Sequence, residues 1–257
     1  MRAAADRSGR FVFDRVADAY VAARPDMPLE AVLAAASVLG LPPRCRVLEV
    51  GAGGGQLTAP LAAAGFAVVA LEPGDSLRTR AAARVPAAEL RPEPFEEFEP
   101  RGRFAAVFSA NAFHWIDPSV AYVKAAEVAD AIALLWNTPY PADPGLFRRI
   151  QAHVLGPRGS TFPDSADGVR AFVADESAVG RDELRASGLF EEPWWQVYER
   201  PLAYSPQRYV ELIGSMSGVA ALPDRDEVLA DLRTVLGDEP LDLVDLVYVV
   251  AARARTG

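Results

Sequence analysis

The chain has 257 residues, 51% of them apolar and 24% charged, enough for one α/β domain with a sizeable core and short for two. A net charge of −9 argues against a nucleic-acid backbone as partner, because phosphate binding needs a basic surface; a small anion met by one or two local arginines stays open. The single cysteine, Cys45, leaves no internal disulfide, the histidines His114 and His153 lie too far apart for a metal constellation, and no apolar run reaches transmembrane length or forms a signal core, so a cytoplasmic protein without a metal is expected.

In chain order, Phe13, Val16, Ala17 and Tyr20 recur at helical spacing in a segment that Pro25 ends, with Arg24 on the same face. Leu29 to Leu39 reads as a second helix, stopped by Gly40 and Pro42-Pro43. The first strand, from Arg46 to Val50, breaks into four glycines within five residues, Gly51, Gly53, Gly54 and Gly55. A second strand runs from Ala67 to Leu71 and ends in Glu72. Asp75 is the expected cap of a helix to Ala83, and Ala87 to Leu90 is a short third strand. The acidic, proline-broken stretch from Pro92 to Phe98 reads as a loop, and Phe104 to Ser109 as the fourth strand. Asp117-Pro118 opens a helix to about Ala129, followed by a fifth strand from Ala131 to Trp136.

Alternation of strand and helix predicts a mostly parallel sheet with helices on both faces, a Rossmann-like three-layer sandwich, with ligands beyond the carboxyl ends of the strands. Those ends carry Glu49 to Gly55, Glu72, Ser109 to Trp115, and Asn137, which should face one crevice. From Pro139 the alternation stops. Residues 144–155 and 166–187 are helical by pattern, 193–202 reads as strand, 206–217 and 224–236 as helices, and 243–251 as the last strand. The expected organisation is therefore N-terminal lid helices over 1–44, a cofactor-binding core over 45–138, a helical substrate lid over 139–192, and the remainder of the core sheet over 193–257.

The glycine turn and Glu72 define a nucleoside-cofactor site: an acid twenty-one residues after Gly51 can accept both ribose hydroxyls of an adenosine held over the turn. A dinucleotide fingerprint would place a third glycine where Gln56 stands, and Glu49 sits where a pyrophosphate would approach. S-adenosylmethionine (SAM) carries no phosphate, and its amino group and sulfonium are cationic, so a nearby carboxylate favours it over NAD.

Several segments resemble one family. Val47-Leu-Glu-Val-Gly-Ala-Gly-Gly-Gly55 is similar to the first motif of class I SAM-dependent methyltransferases. Phe13-Asp-Arg-Val-Ala-Asp-Ala-Tyr20 with Ala23-Arg-Pro25, Phe108-Ser-Ala-Asn-Ala-Phe-His-Trp-Ile-Asp117 and Tyr204-Ser-Pro-Gln-Arg-Tyr-Val-Glu-Leu-Ile213 resemble the small-molecule subgroup related to trans-aconitate methyltransferases. The resemblance implies a seven-stranded sheet with an antiparallel last strand inserted beside the fifth. It also implies that Glu49, Gly51, Gly53 and Gly55 cradle the methionine portion of SAM, that Glu72, next to Pro73, holds the ribose, and that Phe95 and Glu96 flank the adenine. Ser109 and Ala110 would pass the sulfonium, and Tyr20 and Arg24 would close over the site.

Methyl transfer to a small organic molecule is the function these features imply, with S-adenosylhomocysteine as product. The nucleophile needs a base only if it must lose a proton, and His114 is the candidate, since imidazole ordinarily titrates near neutrality. Asn111, His114 and Trp115 would shape the substrate pocket. His114 and Trp115 could equally be packing residues, and the alternative activities are a non-methylating role for bound SAM or an NAD-dependent oxidoreductase. Arg148, Arg149, Arg158, Arg170 and Arg208 are candidates for an anion site that sequence cannot rank. Richness in alanine, arginine and proline is associated with genomes in which such enzymes serve secondary metabolism.

Overall fold

The computed structural model of the protein describes residues 23–255. Tyr20 and the expected N-terminal helix up to Ala22 lie outside them. Seven strands form one sheet: β1 (Arg46–Val50), β2 (Ala67–Leu71), β3 (Glu89–Arg91), β4 (Ala106–Ala110), β5 (Ala131–Pro141), β6 (Trp194–Tyr204) and β7 (Leu241–Arg253). Their order across the sheet is β3-β2-β1-β4-β5-β7-β6. The strands from β3 to β5 pair in parallel, and β7 lies antiparallel between β5 and β6. Connections through helices put apolar layers on both faces, which is why the inner strands are continuous apolar runs.

One face buries Leu48, Val69, Val107 and Ile132 beneath the helices Pro118–Val128 and Ala166–Ser187. The other buries Val47, Val68, Phe108 and Ala133 against Leu29–Val38 and Thr58–Ala63. A third apolar cluster joins Ile150, Val154, Leu212, Ile213, Leu229 and Leu232, and so ties the helices after β5 to those around Pro206–Gly214 and Arg225–Leu236.

The regular core follows the sequence pattern, and the departures have local causes. The helix Asp75–Arg84 is capped by Gly74, not Asp75, whose carboxylate pairs instead with Arg78 one turn on. The loop around Phe95 winds into one 3₁₀ turn, Phe95–Glu97. Gln151–Leu155 continues the helix Pro144–Ile150 as a π-helix rather than an α-helix. β5 runs on to Pro141, past the expected end at Trp136 and the boundary at residue 138. Two prolines fit there because β4 pairs only as far as Leu135, leaving that edge of β5 without a strand; the opposite edge keeps its ladder with β7. β5, β6 and β7 thus project beyond the parallel sheet as an antiparallel arm, beside the end where the crevice lies.

Candidate functional site

The glycine turn is fastened to β2 before any ligand is considered. The Gly51 and Ala52 amides both donate to the Leu71 carbonyl, at 3.0 and 2.9 Å. Gly51 has φ +75°, and a Cβ placed on it would lie 2.4 Å from the Ala112 Cβ, so glycine is required both for the left-handed backbone and for the close approach of the β4 loop. Gln56, standing where a dinucleotide site has its third glycine, folds into the turn and accepts from the Gly54 amide at 3.0 Å. Glu72 closes the arrangement. One carboxylate oxygen accepts from the Gly53 amide at 2.8 Å, the other from the Gly74 amide at 2.9 Å.

Glu49, on β1, is fully buried, and neither of its carboxylate oxygens has a hydrogen-bond partner. Burial pushes its carboxyl up to about 8; the nearby Thr58 pulls it down without closing a bond of ordinary length, and Glu72 pushes it further up. The Thr58 hydroxyl and the Gln56 side-chain nitrogen are buried and unpartnered as well. Glu49 and Gln56 line a cleft of about 20 Å³ that opens beside Arg24, Gly53 and Asn111. An orphaned polar group at such a place asks for a ligand or an ordered water.

A cavity of about 780 Å³ spans the carboxyl ends of the strands, within the range for small-molecule sites. It brings together Arg24, Gly51, Gly53, Glu72, Pro73, Phe95, Glu96, Ala110, Asn111, His114 and Trp115. Three expected residues among those described are not on its wall: Glu49, which lines the smaller cleft, Gly55 and Ser109. Gly55 lies behind the turn, where an added Cβ would meet Arg84 and Ala81 of the next helix. Ser109 is buried beneath the floor, its hydroxyl donating to the Val50 carbonyl at 2.7 Å and so locking β4 to β1. Arg24 bonds Ser215 through both its hydroxyl and its carbonyl, at 3.1 Å each.

Asn111 holds the centre of the crevice at φ +52°, a conformation asparagine tolerates better than most residues. Its amide donates to the Asn137 side chain at 2.7 Å, and Asn137 donates in turn to Asp245 at 3.2 Å. Asp245, fully buried on β7, is paired with Arg200 at 2.9 Å. Burial raises the Asp245 carboxyl, with Arg200 and Asn137 opposing. Arg200 also donates to the Asp26 carbonyl, so this network reaches from the crevice to the segment that crosses it. Trp136 donates from Nε1 to Nδ1 of His114 at 3.4 Å, which leaves the ring proton of a neutral imidazole on Nε2.

The far half of the cavity was not assigned from sequence. Trp136, Tyr140, Phe147, Phe162, Phe172 and Tyr209 line it, drawn from β5, from helices that pack only in the tertiary fold and from the loop that carries Phe162. One signal was present: Tyr209, Ile213 and Met216 recur at i, i+4 and i+7, one face of a helix and the turn after it. Among the described residues no group of His, Cys, Asp and Glu could hold a metal, and no helix is long and apolar enough to cross a membrane.

Residues 47–132 match the family described as a methyltransferase domain. Uncharacterized methyltransferases of Mycobacterium tuberculosis and Mycobacterium bovis are 34% identical over 133 residues, which cover 49% of this chain and 52% of theirs. The match thus spans about half the length of these curated relatives. A candidate type II methyltransferase from Anaeromyxobacter dehalogenans shares the fold with a TM-score of 0.63 at 21% identity, over 90% of this chain and 97% of that one. Phosphoethanolamine N-methyltransferase 2 of Haemonchus contortus, solved with phosphomonomethylethanolamine and S-adenosylhomocysteine, aligns with a TM-score of 0.53 at 14% identity, over 100% of this chain and 61% of that one.

Proposed function

We propose that this chain, with its methyltransferase-domain match over residues 47–132 and its Rossmann-like fold, is a class I SAM-dependent methyltransferase that methylates a small organic molecule held in the far half of the cavity. The observation that carries the cofactor reading is Glu49: a buried carboxyl without a partner beside the glycine turn gains by ionising against a cationic ligand and gains nothing from a pyrophosphate. Glu72, held at the end of β2 by the Gly53 and Gly74 amides, would take the ribose hydroxyls, and Phe95 and Glu96 would flank the adenine. Gly51 and Gly53 would border the methionine portion, with Arg24 positioned for its carboxylate. Gly55 and Ser109 act at one remove, by shaping the turn and its floor.

SAM supplies a methyl group already activated by its sulfonium, so what the chain must provide is alignment and exclusion of water. His114 serves that task by position. Its Nδ1 accepts from Trp136, which fixes the ring beside the methyl-transfer path, where it would orient an acceptor oxygen or nitrogen. The segments 144–155 and 166–187 form the substrate lid. A net charge of −9 suits a small-molecule enzyme, in keeping with secondary metabolism, and disfavours a nucleic-acid substrate.

Calorimetric titration of the protein with SAM, S-adenosylhomocysteine and NAD, side by side, tests the reading. Binding of the first two without NAD is expected. Binding of NAD alone would overturn the function and leave the fold untouched.

A further inference from the structure

We propose that Asp245 is a positioning residue for methyl transfer: it turns the side-chain amide of Asn137 so that the oxygen, not the nitrogen, borders the passage between cofactor and acceptor. The inference rests on the methyltransferase reading and adds to it a residue that touches neither ligand.

The passage follows from strand order. Glu72 ends β2, the glycine turn follows β1, and the next strands across the sheet are β4 and β5. Asn111 follows β4, and Asn137 lies on β5 just past Leu135, the last residue that β4 pairs. Asn111 lines both the main cavity and the small cleft beside Glu49, whereas Asn137 lines the main cavity together with Trp136 and Tyr140. The two amides therefore stand where the cofactor half of the cavity meets the acceptor half.

The oxygen and nitrogen of an amide are told apart by their partners, and here both ends of the chain of bonds are fixed. At one end the backbone N–H of Asn137, which can only donate, meets Asn111 Oδ1 at 3.2 Å. At the other, Arg200 donates twice to Oδ2 of Asp245, at 3.1 and 2.9 Å, and holds that group as a carboxylate. Its Oδ1 can then only accept, and Asn137 Nδ2 donates to it at 3.2 Å. The remaining bond, from Asn111 Nδ2 to Asn137 Oδ1 at 2.7 Å, is the one these two ends leave, so neither amide can be reversed alone. Asp245 is fully buried and lies off the cavity wall. The Nδ2 branch of Asn137 is thus turned into the protein, and the Oδ1 branch is left to the passage.

An amide oxygen there attracts a sulfonium and its methyl group and accepts from a hydroxyl or amine on the acceptor, whereas an N–H would repel the cation. Held in place before any ligand arrives, its dipole needs no reorganisation as charge moves along the passage.

SAM and S-adenosylhomocysteine share their adenosine, amino and carboxylate groups and differ in the methyl group and its charge, so their relative affinity isolates the passage. Calorimetric titration of Asp245→Asn should show SAM losing about threefold relative to S-adenosylhomocysteine, because the replacement amide donates as well as accepts and lets Asn137 turn either way. Asn137→Leu removes the oxygen and leaves Asp245 paired with Arg200; it should lower the ratio at least as much, and adding Asp245→Asn to it should change the ratio no further. Arg200 also donates to the Asp26 carbonyl, so a merely structural role for Asp245 would weaken both ligands alike. An unchanged ratio in Asp245→Asn would overturn the inference, as would a further fall when it is added to Asn137→Leu. Should Asp245→Asn not fold, Asn137→Leu decides alone, and an unchanged ratio there refutes the role. A wild type that takes up neither ligand would sink the methyltransferase reading itself, before any variant is compared.

Discussion

Replacing Glu49 by glutamine tests the electrostatics of the site without touching its shape. The carboxyl has an ordinary value of 4.5 and is pushed to about 8 by burial, so the folded protein holds a proton that the unfolded chain releases above pH 4.5. Stability is therefore greatest below pH 4.5 as far as this group is concerned, declines as pH rises toward 8, and levels off above it. Each pH unit between the two values costs about 1.4 kcal/mol, which places the cost near 3 kcal/mol at pH 7 and under 1 kcal/mol at pH 5. Glu49→Gln keeps the volume and cannot ionise. Urea unfolding of both proteins should then show the stability difference, variant minus wild type, growing by about 2 kcal/mol between pH 5 and pH 7. S-adenosylhomocysteine should reverse the ranking, because its amino group stabilises the ionised carboxylate only in the wild type. Its binding at pH 7 should release close to one proton, measured as a dependence of the binding heat on buffer ionisation enthalpy, and Glu49→Gln should release none. A stability difference that stays flat from pH 5 to pH 8, or proton release that survives the substitution, would refute the reasoning.

Three further outcomes are expected. Gly51→Ala places a Cβ 2.4 Å from the Ala112 Cβ at φ +75° and should cost about 2–4 kcal/mol in urea unfolding; a loss under 0.5 kcal/mol would mean that the turn and the β4 loop are not in contact. Glu72→Ala removes the acceptor for the Gly53 and Gly74 amides as well as the ribose contact, so S-adenosylhomocysteine affinity should fall at least tenfold, and unchanged affinity would dismiss the ribose assignment. Ser109→Ala should lower stability by about 1 kcal/mol through the lost bond to Val50 and leave cofactor affinity within twofold; a large affinity loss would return Ser109 to the cavity wall.

The sequence by itself determined the parallel core and the half of the crevice that belongs to the glycine turn. Period and punctuation are local quantities: apolar runs such as Val68 to Leu71 and Ala106 to Phe108 are buried on both faces, and Gly51, Gly53 and Glu72 sit at strand ends whatever else the chain does. Three matters were left to the tertiary structure. The length of β5 depends on which of its edges is paired, and the prolines at 139 and 141 read as a strand end until β7 supplies the other edge. Whether an acid is ionised depends on what surrounds it, so Glu49 and Glu72, alike in sequence, become a neutral orphan and a carboxylate held by two amides. Whether an arginine can meet an anion depends on its partners, and Arg158 finds Asp224 and Asp231, 66 and 73 residues away. The acceptor half of the cavity is assembled from β5, β7 and helices far apart in the chain, so no local pattern spells it out; only packing brings Tyr140, Phe162 and Tyr248 to one space.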